Sequence, residues 1–300
     1  MEKNLQVIQL KKRFGMLGLC ALLLLLFGCG ATEHKIMAAH STPEDVADYP
    51  VSVHFLGISE GESTLVLTDD FTILIDAGSA TSAHEIMEIL EQFDIKNIDV
   101  LVLTGEMDGH VDGANTILNH FPVEQIMVPE LIKQTILDRI TGPVRSIVAV
   151  SEGENFLFSQ TLKMRILSPS EPLSLSPQAN ALVFQLIHGK VKWMFTSDIN
   201  DEVEQQLVEK YNLKSQILKV SDSGSNQASS PSFLENVDAH VAVIFQDIAN
   251  TNGFDDVVER LNETWLDVYQ TKTHGTISVF SNGKDYQIER EKSKGFFQEQ

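Results

Sequence analysis

Cysteine is nearly missing from this chain of 300 residues: its two, Cys20 and Cys29, both fall before residue 30. Everything after them therefore folds without a disulfide, binds no metal through sulfur and carries no thiol nucleophile. Basic residues are scarce as well, 22 against 42 acidic ones, for a net charge of −20. A long apolar run is also missing. The longest, Phe14 to Phe27, falls short of the roughly 20 residues that a membrane-spanning helix needs. What is abundant is core material, with 43% apolar residues, enough for one large domain.

The N-terminus has an architecture of its own. Lys3, Lys11, Lys12 and Arg13 precede the Phe14–Phe27 apolar run, the layout of a secretory signal. The run ends in Leu26-Phe27-Gly28-Cys29, which resembles the lipobox of bacterial lipoproteins. That resemblance implies cleavage before Cys29, acylation of its thiol (palmitate or a similar chain) and of the new amine, and stable anchoring by several acyl chains. The expectation is a signal peptide over 1–28 and a lipidated Cys29 opening a polar tether over 29–49. The protein would then be an exported, membrane-anchored lipoprotein on the extracytoplasmic side of the cell envelope.

Four of the 22 basic residues and one of the 42 acidic ones lie in residues 1–28, so the remainder holds 18 and 41, a net charge near −23. Nucleic-acid binding leans on Lys and Arg neutralising phosphates, and no basic cluster stands out beyond residue 28. The balance counts against a nucleic-acid partner and leaves the membrane, through Cys29, and a protein or small-molecule ligand.

Beyond the tether, VSVHFLG, STLVLT and TILIDAG read as short strands separated by turn residues. Ile86, Ile89, Leu90 and Phe93 then fall at helical spacing, and IDVLVLT reads as a central strand covered on both faces. Helical patterns near 111–120 and 130–140 flank the strand QIMVP. In the second half LKMRILS, ALVFQLIHG, VKWMFTSD, QILKVS, HVAVIF, GTISVF and KDYQIER read as strands. NDEVEQQLVEKY, SPSFLENV and FDDVVERL read as helices, with Asn200 an N-cap for the first. Hairpins followed by βα alternation, twice over, predict an α/β fold of two mixed sheets with helices outside. One domain over 50–290 and a polar tail over 291–300 complete the organisation.

Several stretches resemble the metallo-β-lactamase superfamily, in the branch of the ComEC competence-protein C-terminal domain. Phe55-Leu56-Gly57-Ile58-Ser59-Glu60-Gly61-Glu62-Ser63 matches the family form FLDVGQGDA, and ILIDAG (73–78) matches its next strand. NALVFQLIHGKVKWMFTSD (180–198) matches the hairpin ending in LLTGD. LKVSDSGSNQASSPSFLENVDAHVAVI (218–244) follows the segment beginning LKVGHHGS, and THGTISVFSNG (273–283) resembles the closing strand. The resemblance implies the four-layer αββα sandwich of that superfamily.

It also implies a place for metal ions, at T-H-x-H-x-D-H, where paired ions activate water. In TGEMDGH the Thr is Thr104, but the His, His and Asp positions hold Gly105, Met107 and Gly109, and only His110 remains. The Asp of LLTGD is kept as Asp198, with Ser197 replacing Gly. The His pair of GHHGS has become Asp222 and Ser223, and Asp76, which in the family braces the site, is kept. Two ligands seldom hold a metal, so no resident cofactor is expected and the domain reads as a non-catalytic, ligand-depleted relative with a binding or accessory role. The alternative is a divergent metal-dependent hydrolase, phosphodiesterase-like or nuclease-like. Its rebuilt, oxygen-rich site would hold Zn or Mn on His110 and Asp198, with Asp108, Asp112, Asp222 and His274 as further candidates. Asp112 also fits as a helix-capping acid.

Overall fold

A computed structural model describes residues 5–7, 49–245 and 254–291. Cys29, the signal and most of the tether lie outside these residues, apart from the three-residue strand β1 (Leu5–Val7).

Two eight-stranded mixed sheets stack face to face. The first orders β16-β15-β2-β3-β4-β5-β6-β7 and the second β1-β8-β9-β10-β11-β12-β13-β14. In the first, β2 (Val51–Phe55), β3 (Thr64–Thr68) and β4 (Thr72–Ile75) pair antiparallel. From β4 onward β5 (Ile98–Val102), β6 (Val123–Pro129) and β7 (Ile147–Val150) run parallel. The closing strands β15 (Ile277–Ser281) and β16 (Tyr286–Arg290) return antiparallel beside β2.

The second sheet repeats the plan. Strands β8 (Asn155–Leu157), β9 (Leu162–Ser168), β10 (Val183–His188) and β11 (Val191–Phe195) pair antiparallel. Strands β12 (Ile217–Lys219), β13 (Val241–Ile244) and β14 (Asp267–Gln270) then run parallel to β11.

Three apolar layers hold the stack. Between the sheets lies a core rich in aromatics, with Phe55, Phe156, Phe184, Trp193, Phe195 and Phe245 fully or almost fully buried. Phe184 and Phe195 stack with centroids 4.8 Å apart. Against the first sheet, Ile86 and Leu90 of α1 (Ala83–Gln92) and Ile117 of α3 (Ala114–His120) form a second layer, joined by Ile136 of α4 (Lys133–Leu137). Val203 and Leu207 of α5 (Asp201–Lys210), Phe233 of α6 (Pro231–Val237) and Leu261 of α7 (Phe254–Glu263) cover the second sheet. Two short helices, α2 (Asp108–Val111) and α8 (Thr271–His274), complete the set.

Local signals place the helix starts. Asn200 Oδ1 accepts from Val203 N at 3.2 Å, and Ser230 Oγ accepts from Phe233 N with Pro231 in the first turn, as helix N-termini require. Four strands add to the twelve that the sequence pattern announces: β1, β7, β8 and β14. All are at or near sheet edges, with three or four residues each. Edge strands pack on fewer neighbours and need no continuous apolar run, so they leave little periodic signal.

Candidate functional site

The functional end of the molecule lies where parallel strands finish. Just past β4 comes Asp76, past β5 Thr104, past β11 Ser197 and Asp198, and past β12 Asp222. Ile75 is in register with Val102, and Phe195 with Lys219, so these four ends sit together at the crevice outside the carboxyl ends of the strands. The backbone there is unusual. Asp76, Ser197, Asp222 and Ser223 all have φ between 47° and 60°, a left-handed conformation that costs most side chains energy and gathers at functional sites.

His110 is the hub. Its Nδ1 donates to Asp76 Oδ2 at 2.9 Å and its Nε2 to Asp198 Oδ2 at 2.7 Å. Asp76 is fixed in turn by Thr104, whose backbone N–H reaches Oδ1 and whose hydroxyl reaches Oδ2, each at 2.8 Å. Thr104 Oγ1 and Ser197 Oγ lie 2.7 Å apart, joining the two sheets. An imidazole donating through both nitrogens is an imidazolium. Burial pushes the His110 pKa down, but the carboxylates of Asp198 and Asp76 raise it well above 6.5. Burial pushes Asp198 up, and the cation of His110, its hydrogen bond and Lys219 more than offset this, holding Asp198 at about 2. Burial, then the charge of Asp198, raises the pKa of Asp222.

A second ion pair lies beside this triad and is as deeply buried. Glu62, in the β2–β3 turn, and Lys219, the last residue of β12, are 4% and 3% exposed. They pair through Glu62 Oε2, and Lys219 Nζ also donates to the Ser197 carbonyl at 2.8 Å. Glu62 Oε1 has no hydrogen-bond partner among the described residues. Burial pushes the Glu62 carboxyl up to about 7 in spite of the opposing charges of Lys219 and His110. Neither residue stood out as a site candidate in the sequence. A signal was present: a lysine inside the apolar stretch QILKVS requires a buried anion.

The turn itself has been rebuilt from outside. The Arg139 guanidinium, beyond α4, donates to the Glu106 carbonyl, to Asp108 Oδ1 at 2.7 Å and to Asp112 Oδ1. Asp108 and Asp112 are thus engaged with a guanidinium, not with His110. Gly105 offers no side chain, and Met107 is 46% exposed. His274 is engaged by the backbone of Gln270 and packs edge-on to Tyr269. Of the sequence candidates, His110, Asp198 and Asp76 are brought into direct contact, with Asp222 close enough to feel Asp198. Among the described residues, the group with metal-ligand spacing is Glu62, Asp76 and His110, whose donor atoms lie within 4.8 Å of one another.

Residues 57–160 match the family model described as the metallo-beta-lactamase superfamily. That stretch carries the pattern of the metallo-β-lactamase superfamily. The chain's relatives are competence proteins at low identity. ComE operon protein 3 of Bacillus subtilis is 26% identical over 191 residues, covering 61% of this chain and 24% of that protein. Competence protein ComA of Neisseria gonorrhoeae is 28% identical over 246 residues, covering 78% of this chain and 33% of that protein. The chain thus spans a third or less of the length of these relatives. In fold, it is similar to the metallo-β-lactamase fold protein YhfI from Bacillus subtilis, with a TM-score of 0.54 at 12% identity, covering 76% of this chain and 99% of that one.

The metallo-β-lactamase fold suggests metal ions at the turn, and the residues at those positions do not fit a pair of them. Only His110 and Asp198 remain, and their donor atoms are bonded directly to each other at 2.7 Å. A catalytic zinc uses three protein ligands and an open position.

Proposed function

We propose that this chain is an exported lipoprotein, anchored through Cys29, whose metallo-β-lactamase domain serves a binding or accessory role and does not hydrolyse. The His110–Asp198 hydrogen bond carries this reading. It is a direct contact between the two retained family ligands, in a cluster that balances much of its own charge. The lipobox-like Leu26-Phe27-Gly28-Cys29 supports the anchor. Among the described residues no helix is long and apolar enough to cross a membrane; the anchor proposed here is the acylated Cys29. The name of one relative, competence protein ComA, suggests competence as the setting.

The test uses the full chain, purified in detergent and incubated with Zn²⁺, Mn²⁺ or Mg²⁺ and a generic phosphodiester. The expected result is no turnover above a control lacking protein. Metal-dependent hydrolysis that disappears in Asp198→Ala would overturn the reading in favour of a divergent hydrolase. For the anchor, Cys29→Ser is expected to move the protein from the membrane to the soluble fraction and to abolish acyl labelling.

A further inference from the structure

Strand β16 ends at Arg290, and the next residue, Glu291, stands on the rim of a groove of about 200 Å³. Glu291 is fixed there by Thr276: its N–H donates to the Thr276 carbonyl at 2.9 Å, and its Oε2 accepts from Thr276 N at 3.3 Å. The opposite wall is a stripe of α1 and its C-cap, where Glu85, Glu88, Ile89 and Phe93 recur at the spacing of one helix face. Ile89 and Phe93 are half-buried and form an apolar floor, packed inward on the layer that covers the first sheet. Three carboxylates and no lysine or arginine line the groove. Its volume is below the roughly 300–1,000 Å³ of small-molecule pockets and suits one or two side chains of a peptide.

The sequence that leaves this rim has the complementary chemistry. Lys292-Ser293-Lys294-Gly295-Phe296-Phe297 lies outside the described residues. It holds two cations, two aromatics and no acid, in a chain with 42 acidic residues against 22 basic ones. The expectation of a polar tail over 291–300 leaves the adjacent phenylalanines without a reason.

We propose that residues 292–297 are the occupant of this groove, a strap whose lysines meet Glu85 and Glu88 and whose phenylalanines cover Ile89 and Phe93. Reach allows it. Five residues of extended chain beyond Glu291 cover up to about 17 Å, more than the roughly 10 Å from position 85 to 92 along a helix. Gly295 gives the chain a permissive hinge between the lysines and the aromatics. Each exposed ion pair is weak, but a tether this short gives an effective concentration of order millimolar, and aromatic burial adds to it. The strap ties the β15–β16 edge of the first sheet to α1. It also backs the β2–β3 turn, because Glu85 accepts from Ser59 N at 2.7 Å and from Ser59 Oγ at 2.5 Å. That turn carries Glu62, so the strap braces the cluster around Lys219 from outside. It is independent of whether the domain hydrolyses anything.

The experiment is limited trypsin digestion of the full chain in detergent, with cleavage after Lys292 and Lys294 followed by intact mass. Cleavage tracks the undocked population, so the double variant Phe296→Ser/Phe297→Ser should be cut about tenfold faster than the parent. Glu88→Gln, which alters only the groove and adds no tryptic site, should be cut about 2–5-fold faster, and added salt should narrow that gap. Hydrogen exchange locates the contact: amides of α1 should exchange faster in the phenylalanine variant, while those of α5 keep their parental rates. A parent tail cut as fast as the phenylalanine variant would overturn the proposal, as would α1 exchange that is the same in both. Protection that grows with protein concentration would give the groove to the tail of a second copy. Protection that requires phosphatidylglycerol vesicles and ignores Glu88→Gln would give the tail to an anionic lipid surface. Either result would overturn the strap within one chain.

Discussion

His110 Nε2 and Asp198 Oδ2 stand 2.7 Å apart, with Asp76 closing the other side of the same ring at 2.9 Å. Asp76, His110 and Asp198 form a buried carboxylate–imidazolium–carboxylate triad. Removing its centre leaves two buried carboxylates without their shared cation, and breaking a buried pair on one side costs about 3–5 kcal/mol. His110→Ala should lose that much stability in urea unfolding of chelator-treated protein. His110→Gln, which keeps donor capacity but no charge, should lose about half as much.

The same triad sets a pH window. Asp198 is held at about 2, below its ordinary 3.8, so its contribution is present above about 4 and is lost as pH falls through about 2. His110 is raised well above 6.5, so its contribution is complete below 6.5 and is lost as pH rises through the raised value. Chelator-treated protein should therefore owe most to the triad between about pH 4 and 6.5. Denaturant melts across pH should show both limbs flattened in His110→Gln. Equal pH dependence in the two proteins would refute the assignment.

Glu62 and Lys219 call for a double-mutant cycle. Each alone leaves the other charge buried, so Glu62→Met and Lys219→Met should each cost about 3–5 kcal/mol. The double variant replaces both with apolar side chains of similar length in an aromatic-walled interior. It should lie within about 1 kcal/mol of the parent, because a well-packed apolar pair can match a buried ion pair. The coupling energy from the four melting curves is the measurement, and simple additivity would show that the two residues do not act as a pair.

How far the sequence was legible follows from what each residue depends on. Strands such as IDVLVLT and helix starts such as Asn200 are local: their apolar continuity and capping chemistry are written in neighbouring residues, and the two-sheet fold followed from them. His110, Asp198 and Asp76 were legible because a family pattern places them at strand ends. Glu62, Lys219 and Arg139 were not. Each acquires its role from a partner far along the chain, at positions 219, 62 and 106–112, and a side chain's long-range partner leaves no periodic trace. Asp108 and Asp112 show the same limit from the other side. As a spacing pattern they suggested ligands, yet the Arg139 guanidinium, far along the chain, takes both of them.

Ser197 separates backbone cost from hydrogen bonding. It stands where the family form has Gly, and its φ of 47° still asks for one. Its hydroxyl answers with the 2.7 Å contact to Thr104. Ser197→Gly should relieve about 1 kcal/mol of left-handed strain and lose a hydrogen bond of about 1 kcal/mol, for a net change near zero. Ser197→Ala keeps the strain and loses the bond, so it should be destabilised by about 1–2 kcal/mol. Thermal melts of the two variants should differ by several degrees in favour of glycine.

The emptied turn can be refilled in a defined order. A Cβ at position 105 would meet nothing closer than Ser197 Oγ at 3.6 Å, an ordinary contact, whereas one at 109 would lie 3.2 Å from the Gly61 backbone. Met107 is half exposed, so a His there displaces little packing. Gly105→His with Met107→His should therefore fold with a loss of no more than about 1 kcal/mol. Adding Gly109→Asp should cost about 1–2 kcal/mol more, because backbone must yield to the new side chain. The double variant sets three imidazoles, at 105, 107 and 110, on one turn, which is a zinc-binding complement. It should acquire stoichiometric Zn²⁺ in a chelator-competition assay. A folded double variant that takes up no zinc would mean that His at these positions is not sufficient for a zinc site, and that the Arg139 clamp holds the backbone out of ligand geometry.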